Sequence, residues 1–250
     1  MLNKIAVDTH THTVLSGHAW STLTENANAA ASLGMHGICL TEHGPRIPGG
    51  AVDYAPAAQM MLPTLISGVT IFRGVEANIV DFAGNIDIEM RFINRTEFAL
   101  ASIHDIVLKP GTPEENTAAL VGVLSHPYID MVGHIDDAKT PNLYEEVILA
   151  AKDLGKLIEI NNNSLLVRRG SEPNIRQIAR LCKKHQARVC VSSDAHFWTM
   201  IGNVSPSLML IDDIGFPDEL VVNRSADSFH AYLAERADRL RRTGSIRKKR

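Results

Sequence analysis

Two histidines separated by one residue follow a short apolar run near the beginning of the chain. They are His10 and His12, and His18 follows after a short gap. On a β-strand, side chains two positions apart point to the same side, so His10 and His12 are expected to present two imidazoles together at a strand's end. Imidazole is a common ligand for zinc, iron and manganese. The pair therefore indicates a metal site if later parts of the chain supply more ligands.

Side chains of the same chemistry follow several later apolar runs. The candidate ligands are seven imidazoles and two carboxylates, namely His10, His12, His18, His43, Glu76, His104, His134, Asp194 and His196. One metal ion takes about four to six ligands, so this set predicts two or three ions that share a bridging carboxylate. The remaining histidines are predicted to be hydrogen-bonded or solvated bystanders, namely His36, His126, His185 and His230.

Strand-like and helix-like segments alternate along the chain, which predicts an α/β fold with mostly parallel strands. The predicted strands are residues 4–9, 37–41, 69–75, 98–103, 129–133, 157–160 and 188–192. Each strand leads into a polar tip, at His10, His43, Glu76, His104, His134, Asn161 and Asp194 in that order. Strand–helix units of this kind close into a barrel whose functional residues gather at the C-terminal ends of the strands. One closed barrel is therefore expected to bring the candidate ligands to one rim.

The segments between the strands carry helical patterns and helix-start signals. The predicted helices are residues 21–33, 57–66, 112–124, 142–154, 172–185, 207–214 and 226–241. Thr22 or Thr24 is available to cap the first helix. A short hairpin or excursion is predicted over residues 79–93, with Gly84-Asn85 as its turn.

Composition is ordinary for a globular protein of one domain. The chain has 250 residues, a formal net charge of −3, 45% hydrophobic and 21% charged residues. The near-neutral charge balance gives no basic surface typical of nucleic-acid binding. There is one basic run, Arg247-Lys248-Lys249-Arg250. It falls in a tail from about residue 243, which is predicted to be a solvated terminus.

Signals of export and membrane insertion are missing from the sequence. No apolar run approaches the ~20 residues of a membrane span, and the N-terminus lacks the apolar core of a signal peptide. The three cysteines are scattered and form no C-x-x-C pair, which is typical of reduced thiols. These features predict a cytoplasmic protein with no membrane partner, whose oligomeric state is open.

Together these motifs resemble the PHP (polymerase and histidinol phosphatase) superfamily, and within it the stand-alone YcdX-type phosphatases. The segments that carry the resemblance are His10-Thr11-His12, His18, Thr41-Glu42-His43-Gly44-Pro45, Arg73-Gly74-Val75-Glu76-Ala77-Asn78, His104, His134, Glu159-Ile160-Asn161-Asn162 and Ser193-Asp194-Ala195-His196. They run in order from about residue 5 to about residue 220, so the resemblance covers nearly the whole chain. An H-x-H pair alone is weak, whereas the full ordered set is highly specific.

The resemblance implies a single domain over residues 1–250 with the fold of a distorted TIM-like (β/α)7 barrel. It also implies three divalent metal ions, usually zinc, with iron or manganese as alternatives. The implied sets are His10, His12, Glu76 and Asp194 for one ion, Glu76, His104 and His134 for a second, and His18, His43 and His196 for the third.

The chain departs from the family pattern at two places. Relatives often carry Asp where Glu42 stands. This change is expected to affect only residues that contact the metal ligands, and not the ligands themselves. Relatives usually continue their fifth ligand segment as His-Pro-Gly-Asn-Pro, whereas this chain has Ile135-Asp136-Asp137 after His134. This second departure makes Asp136 a candidate for an extra metal ligand, or for a residue that contacts a metal ligand.

The expected activity is that of a phosphoric monoester hydrolase. A hydroxide held between two divalent ions is a strong nucleophile at neutral pH, because metal binding lowers the pKa of water to ~7. We expect this hydroxide to attack a small phosphate monoester in line, with Glu76, Asp194 and His196 as the catalytic ligands. A serine nucleophile is not expected, because no nucleophile elbow accompanies Ser192 or Ser193.

Candidate substrate-binding residues lie in the segment after the sixth predicted strand. They are Arg168, Arg169 and Asn162. A guanidinium binds phosphate through paired donors, and the family resemblance favours a substrate contact by one of the two arginines. Asp105 and Asp136 are candidates for orienting neighbouring imidazoles, and Arg73 is interpreted as structural.

Three alternatives remain open at this point. The first is a histidinol-phosphate phosphatase, and the second is a nucleotidase or nuclease, which would need a basic groove that the sequence does not offer. The third is an inactive domain that keeps metal for structure. Broken ligand positions would favour that third reading, but all nine candidate ligands are intact.

Overall fold

Seven parallel strands form a nearly closed barrel, which confirms the predicted fold class. The structure is a computed structural model that describes residues 4–245, so the basic run at residues 247–250 lies outside the described residues. The strands are β1 (Val7–Thr11), β2 (Gly37–Leu40), β3 (Leu65–Ile66), β4 (Val69–Asn78), β5 (Phe98–Ser102), β6 (Met131–Val132), β7 (Leu157–Asn161) and β8 (Val189–Ser192). The parallel order is β1, β2, β4, β5, β6, β7, β8, and β3 pairs antiparallel with β4.

Helices follow most strands and pack around the barrel. They are α1 (Leu23–Ser32), α2 (Ala55–Ala58), α3 (Met90–Ile93), α4 (Pro113–Leu124), α5 (Tyr144–Asp153), α6 (Ser164–Val167), α7 (Ser171–His185), α8 (Ser205–Asp213) and α9 (Ala226–Arg242). Reciprocal hydrogen bonds between Thr22 and Glu25 form a capping box at the start of α1, so Thr22 is the cap. Within residues 4–245, none of the helices combines the length and the apolar character needed to cross a membrane.

The last strand meets the first through few backbone contacts, and a buried asparagine fills the gap. The His12 N–H donates to Ala195 O at 2.9 Å near the C-terminal ends of β1 and β8. Further down, the Asn223 amide donates to Val7 O at 2.7 Å and to Val191 O at 2.6 Å. Its Oδ1 accepts the Val191 N–H at 3.1 Å. Asn223 therefore satisfies backbone groups that neighbouring strands would otherwise satisfy.

The predicted helix over residues 57–66 is wrong in its second half. After α2 the chain makes one 3-10 turn that ends at Met61. Leu62 is extended (φ −75°, ψ 145°), because the ring of Pro63 disfavours helical backbone in the preceding residue. The chain then forms β3 and turns at Ser67-Gly68, which have φ of 53° and 80°. Positive φ at both positions suits a two-residue hairpin that pairs β3 with β4.

Strand ends differ from the predicted ones by a few residues, and two differences matter for the polar tips. β1 continues to Thr11 and β4 continues to Asn78, so His10 and Glu76 lie inside strands rather than after them. The excursion predicted over residues 79–93 contains an antiparallel bridge and α3.

An irregularity in β1 turns its two histidines into the barrel. The register with β2 shifts between Asp8 and Thr11. Val7 packs in the apolar interior of the barrel, yet His10 and His12, at even rather than odd positions, reach that same interior. A β-bulge changes which face the following side chains occupy. Strict alternation along β1 would instead have turned both imidazoles outwards.

The barrel interior is apolar at its N-terminal end. Val7, Phe98 and Leu157 pack there with Phe229 and Tyr232 of α9. These two aromatic side chains are almost completely buried. α9 therefore closes this end of the barrel, and the polar side chains occupy the opposite end.

Candidate metal centre

The structure brings the predicted ligands together at the C-terminal end of the barrel, around the carboxylate of Glu76. This side chain is fully buried. Its Oε2 lies 3.2 Å from His10 Nε2, 3.5 Å from His12 Nε2 and 2.8 Å from His43 Nδ1. One carboxylate oxygen from β4 therefore faces three imidazoles from β1 and the loop after β2.

The other oxygen of Glu76 faces a different pair of imidazoles. Its Oε1 lies 3.3 Å from His104 Nε2 and 3.1 Å from His134 Nε2. The same oxygen accepts a hydrogen bond from Ser102 Oγ at 2.6 Å. Because the two oxygens address separate imidazole sets, Glu76 has the geometry of a bridging carboxylate.

Asp194 completes the group around β1. Its Oδ1 lies 3.5 Å from His10 Nε2 and 3.4 Å from His12 Nε2. Asp194 (φ 50°) and His134 (φ 28°) have left-handed backbone conformations, which non-glycine residues rarely adopt. Such strain persists where the surroundings hold the residue in place and is common at functional sites.

A further pair of imidazoles lies at the outer side of the centre. The Nε2 atoms of His18 and His196 are 3.0 Å apart. The Nδ1 of His18 lies 3.1 Å from Ser16 O, and the Nδ1 of His196 lies 3.0 Å from Asp194 O. Each ring therefore uses Nδ1 for a backbone contact and directs Nε2 towards the other ring. His43 stacks on His18 with 4.9 Å between ring centroids.

Several buried polar atoms converge without a hydrogen-bond partner among the described residues. These atoms are His10 Nε2, His12 Nε2, His43 Nδ1 and Glu76 Oε2. A buried polar atom that lacks a partner costs roughly 1–3 kcal/mol. Three overlapping groups have ligand atoms within 4.8 Å of one another, namely His10, His12 and Glu76; His43, Glu76 and His104; and His12, His43 and His196. The donor set therefore fits divalent metal ions, and its nitrogen and oxygen atoms suit zinc, iron and manganese.

Charges in the centre reinforce this interpretation. Burial opposes ionisation of Glu76 and Asp194, but nearby imidazoles outweigh it and hold both pKa values well below the ordinary range. Burial also opposes a charge on His10, but the carboxylates around it, with Glu159 among them, hold its pKa well above the ordinary value. Burial and two neighbouring imidazoles lower the pKa of His12. The centre thus concentrates negative charge that is balanced by protons or by cations.

Glu159, in the middle of β7, contacts two of the predicted ligands and was not itself among the predicted site residues. Its Oε1 lies 2.6 Å from His10 Nδ1 and accepts from Ser192 Oγ at 2.5 Å. Its Oε2 accepts the His134 N–H at 2.6 Å. The available signal was a lone acidic residue inside an otherwise apolar strand, since a buried carboxylate needs charged or hydrogen-bonding partners.

Two other imidazoles also have a partner on the ring nitrogen that does not approach Glu76. Ser16 Oγ lies 3.0 Å from His12 Nδ1 and donates to the carboxylate of Glu42. This places Glu42 one contact behind a ligand, as expected. Asn78 Oδ1 lies 2.7 Å from His104 Nδ1. Ser16 lies in a 3-10 turn after β1 and Asn78 at the end of β4, and polar residues are common at both kinds of position, so residue type alone did not identify them.

One expected orienting residue does not perform that role. Asp105 was predicted to orient an imidazole, but its carboxylate pairs with Lys139 at 3.2 Å on the surface. That expectation is wrong because the Asp105 side chain is 53% exposed and its carboxylate contacts Lys139 rather than an imidazole. Asp136 is buried and belongs to none of the three groups of clustered ligand atoms. Arg73 pairs with Glu97 at 2.9 Å, as its structural interpretation requires.

The two candidate arginines occupy different environments. Arg168 lies over the centre with a side chain that is 17% exposed. Its guanidinium donates to Ser164 Oγ at 2.9 Å and lies 3.4 Å from Asp194 Oδ2. Its Nε lies 3.6 Å from Asp137 Oδ2. Arg169 is exposed to solvent.

The structure does not bring the side chain of Asn162 to the centre. Its Nδ2 donates to Asn203 O at 2.8 Å, and its Oδ1 accepts the Ser207 N–H at 3.1 Å. Asn162 thus fastens the loop after β7 to the start of α8. The next residue, Asn163, lines the cavity instead.

A cavity of about 390 Å³ opens onto the centre. Its lining consists of His18, His43, Glu76, His104, His134, Asn163, Val167, Arg168, Asp194, His196 and Met200. A larger groove of about 820 Å³ lies at the far end of the barrel beside α9, but none of the predicted ligands lines it. The predicted ligands therefore line the smaller cavity, which is large enough for a small ligand.

Comparison with known proteins is consistent with this centre. A PHP domain match covers residues 8–167. A "Probable phosphatase" of Acetivibrio thermocellus is 41% identical over 239 residues, which cover 96% of this chain and 99% of that protein. A "Probable phosphatase" of Caldicellulosiruptor bescii is 42% identical over 229 residues, covering 92% of this chain and 95% of that protein.

Solved structures share the fold at much lower identity. Histidinol phosphate phosphatase from Lactococcus lactis, complexed with zinc, L-histidinol and phosphate, has a TM-score of 0.58 at 18% identity, covering 87% of this chain and 95% of that one. A chain of archaeal ribonuclease P with mature tRNA has a TM-score of 0.57 at 15% identity, covering 97% and 96%. At these identities the likeness is one of fold.

Proposed function

This chain belongs to the PHP domain family, and from that premise we propose that it is a phosphatase that hydrolyses small phosphate monoesters with the help of bound divalent metal ions. The observation that carries the proposal is the convergence of unpartnered, buried ligand atoms on the two oxygens of Glu76. The names of the curated relatives support the same general activity.

We propose three ions, with zinc as the resident metal. The proposed sets are His10, His12, Glu76 and Asp194; Glu76, His104 and His134; and His18, His43 and His196. His10 and His12 on one Glu76 oxygen, and His104 and His134 on the other, support the first two sites. The close Nε2 atoms of His18 and His196 support the third. His43 stacks on His18, which favours the third set, and its Nδ1 also lies 2.8 Å from Glu76 Oε2. When bound, such ions activate water and offset charge on phosphoryl oxygens.

The protein's own residues hold the reacting groups in place. Glu159 and Ser16 fix the rotation of two imidazoles, and Arg168 supplies a cation beside Asp194 that suits a phosphoryl oxygen. In the proposed hydrolysis, a water oxygen forms a bond to phosphorus while the bond from phosphorus to the alcohol oxygen breaks. The leaving oxygen takes up a proton. Ser192 is fully buried, donates its hydroxyl hydrogen to Glu159 and does not line the cavity, so it is not placed to act as a nucleophile.

The experiment combines metal content with activity. We expect purified protein to contain two or three equivalents of metal and to release phosphate from an aryl phosphate. His10→Ala should remove at least one equivalent and lower kcat/KM at least about a hundredfold. His185→Ala is the matched control, because His185 contacts Glu145 outside the centre. Fewer than two metal equivalents in the wild type, or unchanged activity in His10→Ala, would contradict the proposal.

The other candidate activities receive no specific support. The likeness to histidinol phosphate phosphatase and to the ribonuclease P chain is one of fold, so neither substrate transfers to this chain. The complete ligand set argues against a domain that keeps metal for structure alone. We retain the cytoplasm as the proposed location, which suits three unpaired and buried cysteines.

A further inference from the structure

The cavity wall outside the ligand set is almost free of charge. The lining residues that are not predicted metal ligands are Asn163, Val167, Arg168 and Met200. Within residues 4–245, the carboxylates of the lining are those of Glu76 and Asp194, which face the imidazoles. Among the described residues that line the cavity, no carboxylate is therefore left to pair with a cationic group on a substrate.

Of three aspartates close in sequence to lining residues, Asp136 is buried outside the lining, and the other two form ion pairs. Asp137 pairs with Arg168 at 3.6 Å, and Asp105 pairs with Lys139 at 3.2 Å. An ammonium group on a substrate would have to break one of these pairs to gain a partner. The site is thus built without a receptor for a positively charged leaving group.

Positive charge is equally limited. Arg168 is the one arginine or lysine in the cavity lining, counted over the described residues. A single guanidinium beside the metal ligands matches one phosphoryl group. A second phosphate, as in a nucleoside diphosphate, would find no further arginine or lysine in that lining.

Exposed apolar side chains lie in the cavity lining and in the segments next to it. Val167 in the lining is 65% exposed, and Phe197 and Trp198, directly after His196, are 41% and 43% exposed. Trp20 is 77% exposed, and its N–H donates to His196 O at 2.8 Å, which holds it beside the same loop. Apolar surface exposed to water gains free energy when a ligand covers it.

We infer that the site takes esters with one phosphoryl group on an uncharged, apolar or aromatic leaving group, which packs against Val167 and Met200. This inference rests on the proposed function, because the phosphoryl group must sit at the metal centre. It specifies the leaving group, which is the part of the substrate that the predicted metal ligands do not contact.

The test compares phenyl phosphate with phosphoethanolamine. We expect the wild type to favour phenyl phosphate in kcat/KM by about tenfold or more. Val167→Asp adds a carboxylate to the wall and should reduce that ratio at least about tenfold, because the ammonium gains a partner. The ratio is the readout, since added negative charge weakens both phosphate esters alike. Val167 is exposed, so the substitution should leave the fold intact.

Leu166→Asp provides the matched control. Leu166 is the neighbouring residue in α6 and is 66% exposed, but it lines a separate groove towards α8. Its ratio should stay within about twofold of the wild type. An unchanged ratio in Val167→Asp, with both esters hydrolysed, would overturn the inference.

A binding experiment separates this inference from the proposed function. Phenylphosphonate and 2-aminoethylphosphonate carry a carbon–phosphorus bond that hydrolysis leaves intact, so calorimetry on the metal-loaded protein reports affinity alone. Tighter binding of phenylphosphonate supports the inference even if no ester is hydrolysed, in which case only the proposed function fails. Equal affinities, or no binding of either compound, overturn the inference whatever the hydrolysis assay shows.

Discussion

What each imidazole in the centre can bind depends on which of its two ring nitrogens has no other partner. His10 directs Nδ1 to Glu159 and Nε2 to Glu76, whereas His104 directs Nδ1 to Asn78. A partner on one nitrogen fixes the rotation of the ring and increases the basicity of the other nitrogen. The ligands are therefore oriented by neighbours that contribute no ligand atom of their own.

At the same scale, we predict that Arg168 and Arg169 contribute unequally to substrate binding. Arg168→Gln should raise KM about tenfold or more, because a guanidinium beside Asp194 is lost from the cavity. Metal content should be unchanged. Arg169→Gln removes an exposed charge from the next position and should change KM less than about twofold. Steady-state kinetics with an aryl phosphate measures both values, and equal effects of the two variants would refute the assignment.

The place of a histidine among the helices and strands also sets the pKa of its imidazole, as His126 shows. His126 lies between α4 and β6, away from the centre, where its Nδ1 accepts the Tyr128 N–H at 3.4 Å. Lys156, before β7, donates to His126 O at 3.2 Å. Burial and the charge of Lys156 lower the pKa of His126 to about 4. This connection between elements therefore favours the neutral imidazole.

We predict that this histidine makes stability depend on pH. Because its folded-state pKa (about 4) lies below the ordinary 6.5, the unfolded chain binds more protons between these values. Stability is thus lost as pH falls from 6.5 towards 4. His126→Asn keeps an acceptor for Tyr128 but cannot titrate, so it should lose about 1 kcal/mol less than the wild type between pH 7 and pH 5, after allowance for solvent screening.

Urea unfolding at the two pH values measures this difference. Comparing the two proteins at each pH cancels the contribution of the metal centre, which both retain. Parallel losses of stability in the wild type and His126→Asn would show that His126 is not the titrating group.

At the scale of the whole molecule, the barrel is closed partly by a side chain rather than by strand pairing. Asn223 precedes α9 and is fully buried between β1 and β8. It makes hydrogen bonds to Val7 O and to both backbone groups of Val191. The segment after the last strand therefore belongs to the barrel, although it contributes no metal ligand.

We predict that Asn223→Ala destabilises the protein by about 2–4 kcal/mol, because three buried backbone groups lose their partner. The loss should appear in urea unfolding of the metal-free protein, so that metal binding does not mask it. Asn28→Ala is the control, since Asn28 is exposed on α1, where its Oδ1 accepts a hydrogen bond from Ser67 Oγ. Its effect should stay within about 0.5 kcal/mol. A cost for Asn223→Ala as small as that of the control would show that backbone contacts alone close the barrel.

Much of this protein was predictable from its residues in order. Ligand-type side chains at successive strand ends must meet at one rim, because parallel strands of a barrel point the same way. The strand–helix alternation was likewise a local signal that the structure confirms, and of the two predicted caps, Thr22 and Thr24, the structure has Thr22. Errors such as the helix over residues 57–66 arose where a single proline overrode an otherwise helical pattern.

Other features depend on contacts between distant parts of the chain. Glu159 holds His10 across 149 positions, and the bulge in β1 turns His10 and His12 inwards through its register with β2. The separate imidazole sets on the two oxygens of Glu76 follow from side-chain rotations inside the closed barrel. Residue types and their order thus predicted where the ligand-type side chains meet, because strand–helix alternation along the chain makes neighbouring strands parallel. Packing assigned each atom its partner, because register, ring rotation and burial exist only once the barrel has closed.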